Sequence, residues 1–168
     1  ARGYTGFGAA AVLAHAAMEA HAGAMKALWT RMTDGLGAAG VDFRINGSAT
    51  QRWFGNLNLS FPGLDGARLM ADMKGLAVSS GAACASAAGK GSYVLPALGL
   101  EHSLVKAALR IGFGRPTTVD EIDQAVTQID TMTQQNAALV EQLAAAAQSL
   151  QGQSGQLNAS MGAFRVNA

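Results

Sequence analysis

Cysteine is almost absent from this chain: its 168 residues include one, Cys84. A lone thiol excludes an internal disulfide and leaves two meanings for the residue, packing in a core or thiol chemistry. It also fits a reducing compartment. Charge is scarce as well. Asp, Glu, Lys and Arg make up 14% of the chain, the net charge is +1, and no run of Lys or Arg occurs. That composition carries no electrostatic footprint for nucleic acid. Long apolar runs are missing too, because His15, Glu19 and His21 interrupt the most hydrophobic N-terminal region, so no stretch approaches the ~20 residues of a membrane span. There is no signal-like start, and a cytoplasmic protein is the expectation. His15 and His21 are six apart, a spacing that does not bring them onto one helical face as metal ligands; no metal site is expected. Ala1 stands where a Met would begin a chain, and a missing true beginning is expected.

What is present is enough for one core. Apolar residues make up 49% of the chain, which argues for a folded domain rather than disorder. Leu13, Ala17, Met25, Leu28, Met32 and Leu36 recur near helical spacing and predict a long helix over 8–36, with Trp29 as a core anchor. Val41, Phe43 and Ile45 alternate with Asp42 and Arg44 up to the turn signal Asn46-Gly47, which predicts a short strand. Leu57, Leu59 and Phe61 alternate with Asn56, Asn58 and Ser60 in a second strand closed by Pro62-Gly63. Asp65 is placed to cap a helix through Leu69, Met70 and Met73 that stops at Gly75. Leu76 and Val78 make a brief third strand.

Ser92 is expected to cap a short helix ending at Gly99, with Pro96 at about its fourth position. Another short helix follows from about Ser103. Leu109, Ile111 and Phe113 then alternate with Arg110 and Gly112, so a strand would put Arg110 on the face opposite the apolar three. Thr118 and Glu121 have capping-box spacing and should open the last helix. Helices packed on a small, mostly antiparallel sheet make an α+β domain.

The segment from Val78 to Leu95 holds Cys84 among Gly, Ala and Ser, between a strand-like stretch and a helix start. Burial is the usual fate of a free cysteine, but a loop of tiny residues lets a substrate approach the backbone. The words Ser79-Ser80-Gly81-Ala82-Ala83-Cys84, Ser92-Tyr93-Val94-Leu95 and Ala97-Leu98-Gly99 resemble the active-site loop of the cysteine desulfurases, pyridoxal-phosphate enzymes of the class V aminotransferase fold. The likeness continues through Leu109 to Thr118, Glu121-Ile122-Asp123, Arg44 to Gly47 and Asn58 to Gly63, covering about residues 5 to 125. It implies the small C-terminal domain of that fold.

By the same resemblance, Cys84 is the nucleophile that takes sulfur from L-cysteine as a persulfide. It would pass that sulfur to an acceptor protein for iron–sulfur cluster or thiocofactor assembly, with alanine as co-product. Attack requires the thiolate, and Lys90 is the one cation close to Cys84 in sequence. Arg110 would bind the substrate carboxylate, a task suited to a planar fork of donors; from position alone it could equally be a surface strand arginine. Arg115 reads as structural. The family holds its cofactor on a large domain, through a lysine that follows a histidine. None of Lys26, Lys74, Lys90 or Lys106 follows a histidine. No cofactor-binding residue is therefore expected in this chain, and it is expected to be inactive alone.

Beyond Val126 the composition shifts to Gln, Ala, Ser and Thr, and the period becomes seven. Ile122, Ile129, Asn136, Leu143, Leu150, Leu157 and Phe164 lie a heptad apart, with Met132, Leu139 and Ala146 at the alternate core position. This predicts a coiled-coil-like helix, weakened by Gly152 and Gly155, in which Asn136 would set register. Gln124 to Gln128, Thr133 to Gln142 and the alanine run 144–147 resemble the C-terminal methylation helix of bacterial chemotaxis receptors. There Glu141 and Gln142 would be the adaptational methylation pair, against the plain reading of a solvated pair on an alanine-rich helix. The expected division is a desulfurase-like domain over 1–123 and a helical tail over 124–168. A homodimer is expected. Two other functions stay open: a non-enzymatic interaction protein that self-associates through residues 122–164, and a chemotaxis-signalling fragment.

Overall fold

The computed structural model describes residues 2–64, 66–73, 78–80 and 92–163. The expected cap at Asp65, the helix stop at Gly75, the strand residue Leu76, the loop positions Cys84 and Lys90, and the last heptad position Phe164 all lie outside the described residues. The chain divides into two compact units, Ala1–Met132 and Thr133–Ala168.

In the first unit the chain runs α1 (Arg2–Ala38), β1 (Arg44–Ile45), β2 (Asn56–Ser60), α2 (Gly66–Asp72), β3 (Val78–Ser79), α3 (Val94–Ala97), α4 (His102–Lys106) and β4 (Ala108–Gly112). It then enters α5 (Val119–Ala163). The strands form one antiparallel sheet in the order β1-β2-β4-β3. Central β2 and β4 alternate as expected. Leu57, Leu59, Leu109 and Ile111 are buried on one face, where Met25, Leu28, Trp29, Met32 and Leu36 of α1 and Ile122, Ala125 and Ile129 of α5 complete the core. Burial of this set is the main source of stability, at about 1.5–3 kcal/mol for each large side chain removed from water.

Several local expectations hold at the level of single bonds. Thr118 N–H donates to Glu121 Oε2 at 2.7 Å and Glu121 N–H donates back to Thr118 Oγ1 at 3.2 Å, a reciprocal box that opens α5. Gly99 has φ +78° and follows α3, supplying the left-handed residue that ends a helix at no steric cost. Others are corrected. The first strand covers only Arg44–Ile45, because the sheet edge pairs there with Leu59 and Ser60 and no further. Tyr93, not Ser92, is the residue directly before α3, and its own side chain makes no cap bond. Ser92 Oγ instead accepts from Val94 N–H at 3.3 Å. Pro96 falls at the third residue of a four-residue helix, where its missing N–H removes no intrahelical bond.

Ile122 and Ile129, read as coiled-coil positions, are buried in the core of the first unit, and Met132 packs partly against it. They are therefore not available as a seam for another chain. In the second unit α5 passes through Gly152 and Gly155 without a break. Leu143, Leu150 and Leu157 are exposed there, each by more than 60%. Among the described residues no helix is long and apolar enough to cross a membrane.

Candidate functional site

The face of the sheet opposite the core is divided. At one end it is covered by α3, α4 and the connection between them, whose Leu95, Leu104 and Leu100 pack on Ala108. At the other end no described helix covers it, and here the alternation of β4 delivers Arg110, exposed between buried Leu109 and Ile111. Cross-strand register places Ser79 of β3 on one side of Arg110 and Asn58 of β2 on the other. Arg110 Nε donates to Ser79 Oγ at 3.2 Å.

The polar row continues across β2. Buried Asn46 donates from Nδ2 to Asn58 Oδ1 at 2.6 Å and to Ser60 Oγ at 2.8 Å. The Ser60 hydroxyl donates to the carbonyl of Leu104 at 2.8 Å, which ties α4 to the sheet. Asn46 N–H also donates to the Asn58 carbonyl at 2.9 Å. Buried polar groups cost free energy unless bonded, so this network fixes the segment after β1 in one arrangement.

The other end of that segment is held to α1 by rings and cations. Trp29 and Phe54 meet edge to face at 5.4 Å. The Arg52 guanidinium lies 5.5 Å from the Trp29 ring, and Lys26 Nζ lies 5.6 Å from the Phe54 ring. Burial pushes the Arg52 guanidinium below its ordinary value, and its Nη2 donates to the Asn56 carbonyl at 2.5 Å. Between α1 and the start of α5 runs an open groove lined by Lys26, Arg31, Arg115, Thr118 and Asp123.

Among the described residues no group of three His, Cys, Asp or Glu side chains could hold a metal ion. A pyridoxal-phosphate site requires a lysine in an enclosed pocket with its own phosphate donors. The described lysines do not fit that group. Lys26 stands over Phe54 beside an open groove, and Lys106 is exposed in the last turn of α4.

Of the residues singled out from sequence, Arg110 is on the sheet face opposite the core, Arg115 is exposed just beyond β4, and Glu141 and Gln142 are exposed on α5 in the second unit. Cys84 lies outside the described residues. The sequence reading placed Asn46 in a turn, Asn58 and Ser60 on the polar face of a strand and Ser79 in the loop motif, and gave none of them a part in the site. A signal was present in the alternation of Asn58 and Ser60 with Leu57 and Leu59, which already put them on the face of Arg110.

No family model matches the chain. Curated relatives do. The chain is 44% identical over 124 residues to a cysteine desulfurase IscS of Shewanella loihica, covering 74% of this chain and 30% of that protein. It is 45% identical over 121 residues to the mitochondrial cysteine desulfurase of Arabidopsis thaliana, covering 72% and 27%. It is 50% identical over 105 residues to an IscS of Photobacterium profundum, covering 62% and 26%. Thus the chain spans about 30% of the length of the curated relatives it matches.

Among solved structures, a NifS-like protein matches with a TM-score of 0.59 at 23% identity, over 71% of this chain and 30% of its own. A NifS-like protein from Rickettsia africae matches with a TM-score of 0.62 at 20% identity, over 75% and 32%. The chain is thus similar in sequence to part of the cysteine desulfurases, and it shares a fold with part of the NifS-like chains.

Proposed function

We propose that this chain is the C-terminal part of a cysteine desulfurase, that Cys84 is its sulfur carrier, and that Arg110 receives the α-carboxylate of L-cysteine. Sulfur leaves L-cysteine to form a persulfide on Cys84, with alanine as co-product, and then passes to an acceptor protein for iron–sulfur cluster or thiocofactor assembly. The observation that carries this reading is the position of Arg110. It is an exposed guanidinium at the centre of the sheet face opposite the core, cross-strand from Ser79, and Ser79 precedes Cys84 by five positions. A guanidinium so placed matches two carboxylate oxygens in one plane.

Pyridoxal phosphate supplies the electron sink that C–S cleavage requires when it is bound elsewhere in the family. The described lysines, Lys26 and Lys106, do not fit it, and the chain alone is expected to be inactive. Purified chain mixed with pyridoxal phosphate and L-cysteine should release no sulfide. Supplied with a separately produced cofactor domain from the Shewanella relative, it should release sulfide and gain the mass of one sulfur atom on Cys84. C84S should lose both, and R110K should weaken both. Sulfide release by the chain alone would overturn the predicted inactivity, and full activity of C84S in the mixture would overturn the assignment of the carrier.

A second reading rests on the exposed Leu143, Leu150 and Leu157, one heptad apart on α5. In it the second unit pairs with another copy of the chain as a coiled coil. Methyl esterification of the Glu141 carboxylate belongs to the same helix and would be detected as a mass gain after incubation with a receptor methyltransferase and its methyl donor; Gln142 would join it only after hydrolysis of its carboxamide to a carboxylate.

A further inference from the structure

Arg110 is exposed, yet its guanidinium is held. A guanidinium can take a carboxylate side-on, through Nε and one Nη, or end-on, through the two Nη groups. Here the Nε–H is directed to Ser79 Oγ at 3.2 Å. The partner is a direct cross-strand neighbour, since Ser79 pairs with Arg110 and Val78 with Ile111. On the other side, the carboxamide oxygen of Asn58 accepts from Asn46 at 2.6 Å. The two flanking residues therefore differ in what they do: one binds the guanidinium and the other is tied into the buried network.

We infer that Ser79 is a positioning residue for Arg110: its hydroxyl holds Nε and leaves the Nη1–Nη2 edge as the fork for an α-carboxylate. The inference rests on the proposed role of Arg110 as the carboxylate arginine. Its physical content is pre-organisation. A long side chain held before the ligand arrives loses less rotamer freedom on binding. Ser79 is also the last residue of β3, so the strand that aims Arg110 is the one from which the chain continues toward Cys84. The hydroxyl selects end-on capture of a planar anion, and a point charge at 110 would not substitute for the fork.

The test uses the 168-residue chain, labelled with nitrogen-15, and L-alanine as the carboxylate probe. The matched variants are S79T, which keeps the hydroxyl, and S79V, which has the same shape without it; R110K keeps the charge and removes the fork. In the wild type and S79T the Arg110 Nε–Hε signal should be distinct and restrained, and L-alanine should shift it. In S79V that signal should average toward free arginine while the backbone amides of β2 and β4 stay in place, and L-alanine should bind about three- to tenfold more weakly, the range expected for one hydrogen bond. R110K should bind least. If S79V keeps both the restrained signal and the wild-type affinity while R110K loses binding, the positioning role of Ser79 is overturned and the role of Arg110 stands. If the wild-type chain shows no response to L-alanine, the carboxylate reading of Arg110 is overturned, and the inference with it.

Discussion

Arg31 of α1 and Asp123 of α5, 92 residues apart in sequence, form a two-bond ion pair: Nε to Oδ1 at 2.7 Å and Nη2 to Oδ2 at 2.6 Å. Both side chains remain about half exposed. The pair spans the groove between the two helices that close the core face of the sheet. The hydrogen bond from Arg31 holds the Asp123 carboxyl below its ordinary value, with burial opposing and the Arg31 charge assisting.

A pH dependence with a definite sign follows from that shift. A folded-state pKa below the unfolded one means that stabilisation is fully present above about pH 3.9 and is lost as pH falls through the folded value. The urea midpoint of the wild type should exceed that of D123N at neutral pH. The difference should shrink as pH falls through and below the carboxylate range. Because the pair is half exposed, its contribution should be small and should decline with added salt. A difference that grows on acidification would contradict the assignment.

The Asn46–Ser60 network gives a larger effect. Ser60 is fully buried, accepts from Asn46 and donates to the Leu104 carbonyl. S60A leaves both partners without it and should destabilise the chain by about 1–3 kcal/mol. Chemical denaturation measures the loss, and amide exchange in α4 should accelerate with it, because this bond anchors α4 to the sheet. Wild-type protection of α4 in S60A would show that the anchor lies elsewhere.

Gly66 opens α2 directly beneath the carbonyl of Lys106, and a Cβ there would fall inside contact distance of that backbone oxygen. Backbone cannot rotate aside as a side chain can. G66A should therefore cost about 1–3 kcal/mol, the usual range for overpacking, despite the better helix propensity of alanine. A neutral or stabilising G66A, read from thermal or urea unfolding, would mean that α2 shifts freely.

At the start of α5, T118A removes one half of the capping box and should cost about 1 kcal/mol, while T118S should restore most of it. The readout is the unfolding midpoint of the three proteins under one condition. Equal losses for the alanine and serine variants would argue that the threonine methyl, rather than its hydroxyl, stabilises the helix start.

Truncation separates the two units. Removing residues 133–168 leaves Ile122, Ala125 and Ile129 in the core, so the first unit should stay folded by circular dichroism. If the second unit pairs copies of the chain, the same truncation should lower the mass measured by light scattering to that of one chain. Truncation at 126 should instead unfold the domain, because it removes Ile129 from a fully buried site, a loss of about 2–5 kcal/mol from that side chain alone.

Much of this molecule is written in short-range pattern. The alternation around Arg110 was sufficient to put it opposite the core, and the Thr118–Glu121 spacing was sufficient to start α5, because each depends on residues within a few positions and on fixed backbone geometry. Sequence also supplied the likeness of residues 5 to 125 to the desulfurases, and with it Cys84. Other features depended on which distant segments come together. Strand order brings Ser79 beside Arg110 across 31 positions, and the fold of the 46–60 segment joins Asn46 to Ser60. Ile122 and Ile129 satisfy a heptad in sequence but are buried in the globular core. An apolar period states only that a helix has a face to bury; the partner of that face is chosen by the whole tertiary arrangement, because burial is a non-directional free energy that any complementary apolar surface can satisfy.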